Sequence, residues 1–233
     1  MALIDNKDKT LLEALENALD HTESVDILTG FFYFSGFHKL AEKLKDKKIR
    51  ILVGLAIEPG TTQKLIVEQQ KNPNVSLERF VRVPSLTGRT ERKREYIDGF
   101  TELFNTTALH DNSERQHAYK LFEDKLRDGS LEIKLASDKD HGKSFILHYK
   151  PEYSQGGGDA KGVAFMGSSN FTYSGLTGQG ELNDSFRDND RLNDYQRHFD
   201  QLWEDSDTVS IQAEDSNHEF IERIEKEARG RLG

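Results

Sequence analysis

Four side chains in the chain form a set that can hold a tetrahedral anion. His141-Gly142-Lys143 opens one apolar run, and Gly167-Ser168-Ser169-Asn170 directly follows another. Together they supply an imidazole, an ammonium, a hydroxyl and a carboxamide. A neutral imidazole can attack phosphorus and form a covalent phosphoimidazole. The Lys143 ammonium can neutralise non-bridging phosphate oxygens. Asn170 can donate two amide hydrogens to those oxygens and Ser168 one from its hydroxyl, while Gly167 lets the backbone approach closely. Side chains supply the charge stabilisation, so this chemistry calls for no metal and no cofactor. Each motif alone is weak. A histidine in DKDHGK usually reads as an exposed loop residue, and GSSN as a turn or a helix cap ahead of Phe171 and Thr172. The signal is their joint occurrence, each at the end of an apolar run.

Several elements are expected to position these residues. Apolar spacing predicts a helix over 8–20, with Leu11, Leu12, Leu15, Ala18 and Leu19 on one side. The β-branched and aromatic run from Val25 to Phe34 predicts a buried strand. Ser35 can cap a helix whose inner face carries Phe37, Leu40, Ala41 and Leu44. Ile49–Leu55 is a second, near-continuous apolar strand, and strand–helix–strand is a βαβ opening. Further on, helices are expected over 62–70, 91–109 and 113–127, the last ended by Asp128-Gly129. The region 72–90 reads as loop. Strands are expected over 131–136, 144–149, 162–166 and 183–187. The glycine-rich PEYSQGGGDAK should close a hairpin between 144–149 and 162–166. That hairpin would bring the HxK and GSSN groups to one end of the sheet. If His141 and Lys143 both lie in strand, their i, i+2 spacing puts them on one face. Helices over 191–203 and 214–229 complete the pattern, the second charged and poor in apolar residues. The expected fold is α/β, a mixed and largely parallel sheet flanked by helices on both faces. One domain is expected over 1–205, followed by the charged helix of 206–233, which can lead into a further domain of a longer protein.

Composition narrows the function classes. The chain has 233 residues, 35% of them hydrophobic and 31% charged, with a net charge of −9. That charge argues against a broad non-specific DNA-binding surface, although a local basic groove remains compatible with it. Arg89, Arg92, Lys93 and Arg94 form one basic segment, read as a solvated helix start or loop before a phosphate contact. There is no cysteine. Disulfides, thiolate zinc sites and cysteine nucleophiles are therefore excluded. No apolar run approaches the roughly 18–20 residues of a membrane span. MALIDNKDKT has no apolar core of signal-peptide type, so a cytoplasmic location and no membrane partner are expected.

The text HGKSFILHY…GVAFMGSSNFTYSGLTGQGELN resembles the phospholipase D superfamily motif, H-x-K, then usually an aspartate, then G-S-x-N. It resembles in particular the phospholipase D-like nuclease domains of bacterial restriction endonucleases and of DNA helicases carrying such a domain at the N-terminus. DILTGFFYFSGFHKLAEKL, IRILVGL and DQLWED also look like the helicase-linked domains. The resemblance implies a metal-independent phosphodiesterase, a nuclease that cleaves DNA rather than RNA through a phosphohistidine. It makes His141 the catalytic histidine, Lys143 and Asn170 phosphate ligands, and Ser168 the motif serine. It places Glu181 where related nucleases keep an acid hydrogen-bonded to the histidine, a position that reads equally as an exposed loop glutamate. The aspartate expected five residues after Lys143 is His148 here. With one HxK…GSxN set and a reaction needing two histidines, the implied assembly is a homodimer whose active site straddles the interface. A helicase domain is a further implied partner. The alternative reading is a catalytically inactive nucleic-acid-binding or dimerisation module of a helicase or restriction system. A lipid or nucleotide phosphodiesterase is a third.

Overall fold

A computed structural model describes residues 2–30, 32–54, 90–91, 93–94, 96–98, 113–136, 142–153, 160–178, 180–211, 221–223 and 226. The expectations for 62–70 and 72–90, and most of those for 91–109 and 214–229, lie outside these residues. Among the described residues eight strands form one sheet: β1 (Ala2–Ile4), β2 (Thr22–Thr29), β3 (Lys48–Val53), β4 (Leu131–Leu135), β5 (Ser144–Tyr149), β6 (Gly162–Gly167), β7 (Asn183–Phe186) and β8 (Val209–Ser210). Their order across the sheet is β1-β7-β6-β5-β2-β3-β4-β8. Helices described over their full length include α1 (Leu11–Leu19), α2 (Phe34–Leu44), α3 (Ser113–Asp128), α4 (Tyr173–Thr177) and α5 (Asn189–Trp203).

The mixed α/β sheet flanked by helices is the architecture expected from the sequence. Its balance differs, because among the described residues β2–β3 and β3–β4 pair in parallel and the other five pairings are antiparallel. The βαβ opening does make a parallel pair. After it, β5, β6 and β7 are consecutive neighbours that pair antiparallel.

Alternation along the strands assigns the two faces. Val25 and Ile27, Ile49 and Ile51, and Phe145 and Leu147 point into the larger core with α1, α2 and α3. Leu28, Leu52, Ile146 and Ala164 point the other way, against Leu192, Phe199 and Trp203 of α5. Thr10 starts α1 with a reciprocal cap: its Oγ1 accepts from the Glu13 N–H at 3.1 Å, and its own N–H donates to Glu13 Oε2 at 2.9 Å.

Two expectations around β2 are corrected. The strand ends at Thr29, not at Phe34, and Phe34 already belongs to α2. Aromatic content suggested strand, but these rings pack as a cluster between helices. Ring centroids lie 5.1 Å apart for Phe37–Phe122, 5.3 Å for Phe32–Phe171 and 5.6 Å for Phe34–Phe122. Burying one phenylalanine side chain contributes roughly 1.5–3 kcal/mol, which outweighs the few tenths of strand propensity. Ser35 does not cap the helix either. Tyr33 is the N-cap residue and makes no side-chain cap, and the Ser35 hydroxyl accepts instead from the Tyr173 N–H at 3.3 Å. Of the basic segment, Lys93 is buried and Arg94 exposed within a helical stretch, while Arg89 and Arg92 lie outside the described residues. At the C-terminal side, Val209–Ser210 pairs with β4 as an edge strand, and Ile211 and Ile221 are buried in the larger core.

Candidate active site

The hairpin of β5 and β6 brings the two motifs together. Their antiparallel register pairs Ser144 with Met166, so the residue before β5 meets the residue that ends β6. The Gly167 N–H accordingly donates to the Lys143 carbonyl at 3.3 Å. Lys143 is buried, with 8% of its surface exposed. A lysine buried to this extent normally has its charge compensated, as an anion-binding lysine does.

The loop 168–172 is fixed from several sides. Ser168 faces outward: its hydroxyl accepts from the Leu182 N–H at 3.0 Å and donates to Glu181 Oε2 in a short hydrogen bond. Ser169 faces inward and is fully buried. Its hydroxyl accepts from Asn183 Nδ2 at 2.8 Å, and Asn183 Oδ1 accepts from the Ser169 N–H at 3.4 Å. Asn170 is buried and its Oδ1 accepts from the Thr29 hydroxyl at 3.4 Å. The Phe171 N–H donates to Thr29 Oγ1 at 3.0 Å, and the Phe171 carbonyl accepts from the Tyr33 N–H at 3.2 Å. Thr172 then caps α4 by accepting from the Gly175 N–H at 3.0 Å. A Cβ on Gly175 would lie 2.2 Å from the Asn170 carbonyl oxygen, so only glycine lets α4 pack this close under the motif.

Of the five residues expected to make the site, Lys143, Ser168, Asn170 and Glu181 are described, and His141 lies outside the described residues. Lys143 sits beside Gly167 through the backbone, and Glu181 beside Ser168 through its side chain. The carboxylate's described partner is therefore the motif serine. Asn183 and Thr29 support the loop and were not singled out in the sequence. Asn183 begins an expected strand and Thr29 sits inside an apolar run, so neither carried a local signal.

His148 stands apart from this end of the sheet. It lies five residues along β5 from Lys143, roughly 16 Å in an extended strand. Its Nε2 donates to Asp26 Oδ2 at 3.2 Å. Asp26 is nearly fully buried and also takes two hydrogen bonds from Arg50, each 2.7 Å, and one from Gln196 at 2.9 Å. Arg50 reaches Asp200 at 2.9 Å and lies over the Phe199 ring, tying α5 to the sheet. Burial acts to raise the Asp26 carboxyl, but the hydrogen bonds from His148 and Arg50 and the Arg50 charge outweigh it, and the net direction is downward. A cleft of about 700 Å³ opens at this far end, lined by Asp26, Arg50, His148 and Gln196 among others. It is separate from the Lys143 and Ser168–Asn170 group, because its lining comes from the opposite ends of the same strands. Among the described residues no group of three or more histidine, cysteine or acidic side chains is placed to hold a metal ion. No helix among them is long and apolar enough to cross a membrane.

Solved structures similar to the chain include Nuc from Salmonella typhimurium, described as a phospholipase D family member, at 10% identity and a TM-score of 0.41, covering 84% of this chain and 88% of that one. NucT from Helicobacter pylori is similar at 13% identity and a TM-score of 0.45, covering 89% and 96%. Phosphatidylserine synthase from Haemophilus influenzae Rd KW20 is similar at 14% identity and a TM-score of 0.47, covering 98% and 44%. None of the three is close enough to bring its activity to this chain. No curated protein matches it. The family described as cardiolipin synthase, PLD-like domain, matches residues 2–203, and the chain belongs to this phospholipase D-like family.

Proposed function

We propose that the protein is a metal-independent phosphodiesterase that cleaves DNA through a phosphohistidine. The observation that supports this most is the meeting of Lys143 with the Gly167–Asn170 loop across the β5–β6 hairpin. In the proposed reaction His141 attacks the phosphorus of a phosphodiester and a P–O bond to the leaving oxygen breaks. Lys143 and the Asn170 amide hold the non-bridging oxygens as charge builds on them. A histidine from a second copy of the chain protonates the leaving oxygen, then activates the water that breaks the P–N bond to His141 and releases the phosphomonoester. Ser168 holds Glu181 at the rim, where the carboxylate can meet an imidazolium. The position of His148 supports activity, because the residue replacing the motif aspartate belongs to a different end of the sheet.

The homodimer, the DNA substrate, an attached helicase domain and a cytoplasmic location belong to this same reading. The test is cleavage of labelled single- and double-stranded DNA in EDTA. Cleavage that persists in EDTA and disappears in His141→Ala is the expected result. Loss of cleavage in EDTA, or survival of cleavage in His141→Ala, overturns the mechanism. Salt-sensitive DNA binding without cleavage would identify the non-catalytic binding module instead.

A further inference from the structure

We propose that Thr29 is a positioning residue that sets which end of the Asn170 amide faces the substrate phosphate; this rests on the phosphodiesterase reading above. Thr29 is the last residue of β2, on the face that carries Val25 and Ile27. It is fully buried. At such a position a valine would fit by shape and would satisfy the apolar pattern. The hydroxyl is what distinguishes threonine from valine here, and two hydrogen bonds of that hydroxyl go to the motif loop.

The two contacts differ in sense. Thr29 Oγ1 accepts from the Phe171 N–H at 3.0 Å. Its own proton is donated to Asn170 Oδ1 at 3.4 Å. A carboxamide has an accepting end and a donating end, exchanged by a half-turn of the group. Phosphate oxygens only accept. An asparagine that presents Oδ1 to them adds repulsion, and one that presents Nδ2 adds hydrogen bonds. By engaging Oδ1, Thr29 keeps the accepting end toward β2 and turns Nδ2 away from it, as the donor end. Because the same hydroxyl also holds the Phe171 N–H, amide orientation and loop position are set from one buried atom. The segment after β2 reinforces this, since Phe32 and Phe171 form a parallel bridge and the Tyr33 N–H donates to the Phe171 carbonyl.

The test compares Thr29→Val, Thr29→Ser and the wild type by DNA cleavage in EDTA, cleavage of bis(p-nitrophenyl) phosphate, and calorimetric binding of inorganic phosphate. Each is measured below the unfolding transition of the variant. Thr29→Val is expected to lose at least about tenfold in kcat on both diesters, less than the roughly 100- to 1,000-fold for removing an oriented donor outright, because the Asn170 amide itself remains. It should bind phosphate more weakly by a factor of about five or more, and Thr29→Ser should restore both. If Thr29→Val does not fold, Thr29→Cys keeps the volume while weakening both hydrogen bonds, and should fall between valine and wild type. A folded valine or cysteine variant within about twofold of wild type in kcat and phosphate binding overturns the inference, since a purely structural threonine would change only the unfolding midpoint. If the wild type binds phosphate and cleaves neither diester, the enzymatic reading fails, and the phosphate affinities still decide the role of Thr29. A wild type that binds no phosphate overturns both.

Discussion

The imidazole of His148 donates to Asp26, and Asp26 is at the same time the acceptor for Arg50 and Gln196. A carboxylate is thus already present at this end of the sheet, on β2 rather than β5. Restoring the family's aspartate by His148→Asp would place a second carboxylate against a nearly buried one. Like charges at that range oppose ionisation of both, and one Asp26 hydrogen bond is lost. We expect His148→Asp to be less stable than wild type by about 2 kcal/mol at pH 7, and His148→Asn to lose less than about 1 kcal/mol. Urea unfolding of the three proteins measures this, and a His148→Asp protein as stable as wild type would contradict it. Asp26→Asn is the harsher change, about 3 kcal/mol, because it leaves the Arg50 charge without its main partner. The pH dependence has a definite sign. The folded Asp26 carboxyl titrates below its ordinary value near 4, so its contribution is complete above about pH 4 and is lost as the pH falls through the lower folded value. Stability measured from pH 5 downward should therefore fall less steeply in Asp26→Asn than in wild type.

At the scale of elements, the start of α2 and the motif loop share one contact surface. A Cβ on Gly36 would lie 2.6 Å from the Phe171 carbonyl oxygen, a backbone atom that cannot rotate aside. Helix propensity alone favours Gly36→Ala by up to about 1 kcal/mol. The clash costs roughly 1–3 kcal/mol, so the net effect should be destabilising, with a lowered thermal midpoint. An unchanged or raised midpoint would mean that α2 can slide away from the loop at no cost. The same surface explains what was legible in the sequence. Strands β3, β5 and β6 are readable as apolar runs bounded by polar residues, and β4 from its alternation of apolar and charged residues. The meeting of Lys143 with Gly167 follows from the antiparallel pairing of two strands consecutive in the chain. The aromatic run after Thr29 misled, because Phe32 and Phe34 serve a cluster completed by Phe122 and Phe171, far away in sequence. Residues β1 and β8 recruit are too few for any period, and their strands exist only because the sheet offers an edge. Thr29 and Asn183 act through partners 141 and 14 residues away, a separation that no local pattern reports.

For the whole molecule, the proposed reaction needs two imidazoles, so with one HxK…GSxN set per chain it makes activity a property of the proposed pair. Two copies that each carry a net charge of −9 repel one another, and salt screens that repulsion over about 8–10 Å at physiological strength. DNA binding responds in the opposite direction, because phosphate contacts release counterions and weaken as salt rises. Near the protein concentration at which dimers dissociate, cleavage should therefore pass through a maximum as potassium chloride increases. Well above that concentration it should only fall. Sedimentation velocity across the same salt series should show the dimer fraction rising along the first limb of the curve. Specific activity should also drop on dilution at fixed salt. A monomer at every concentration, with activity strictly proportional to protein, would mean that each chain supplies its own proton donor, and the second histidine would have to be sought within it.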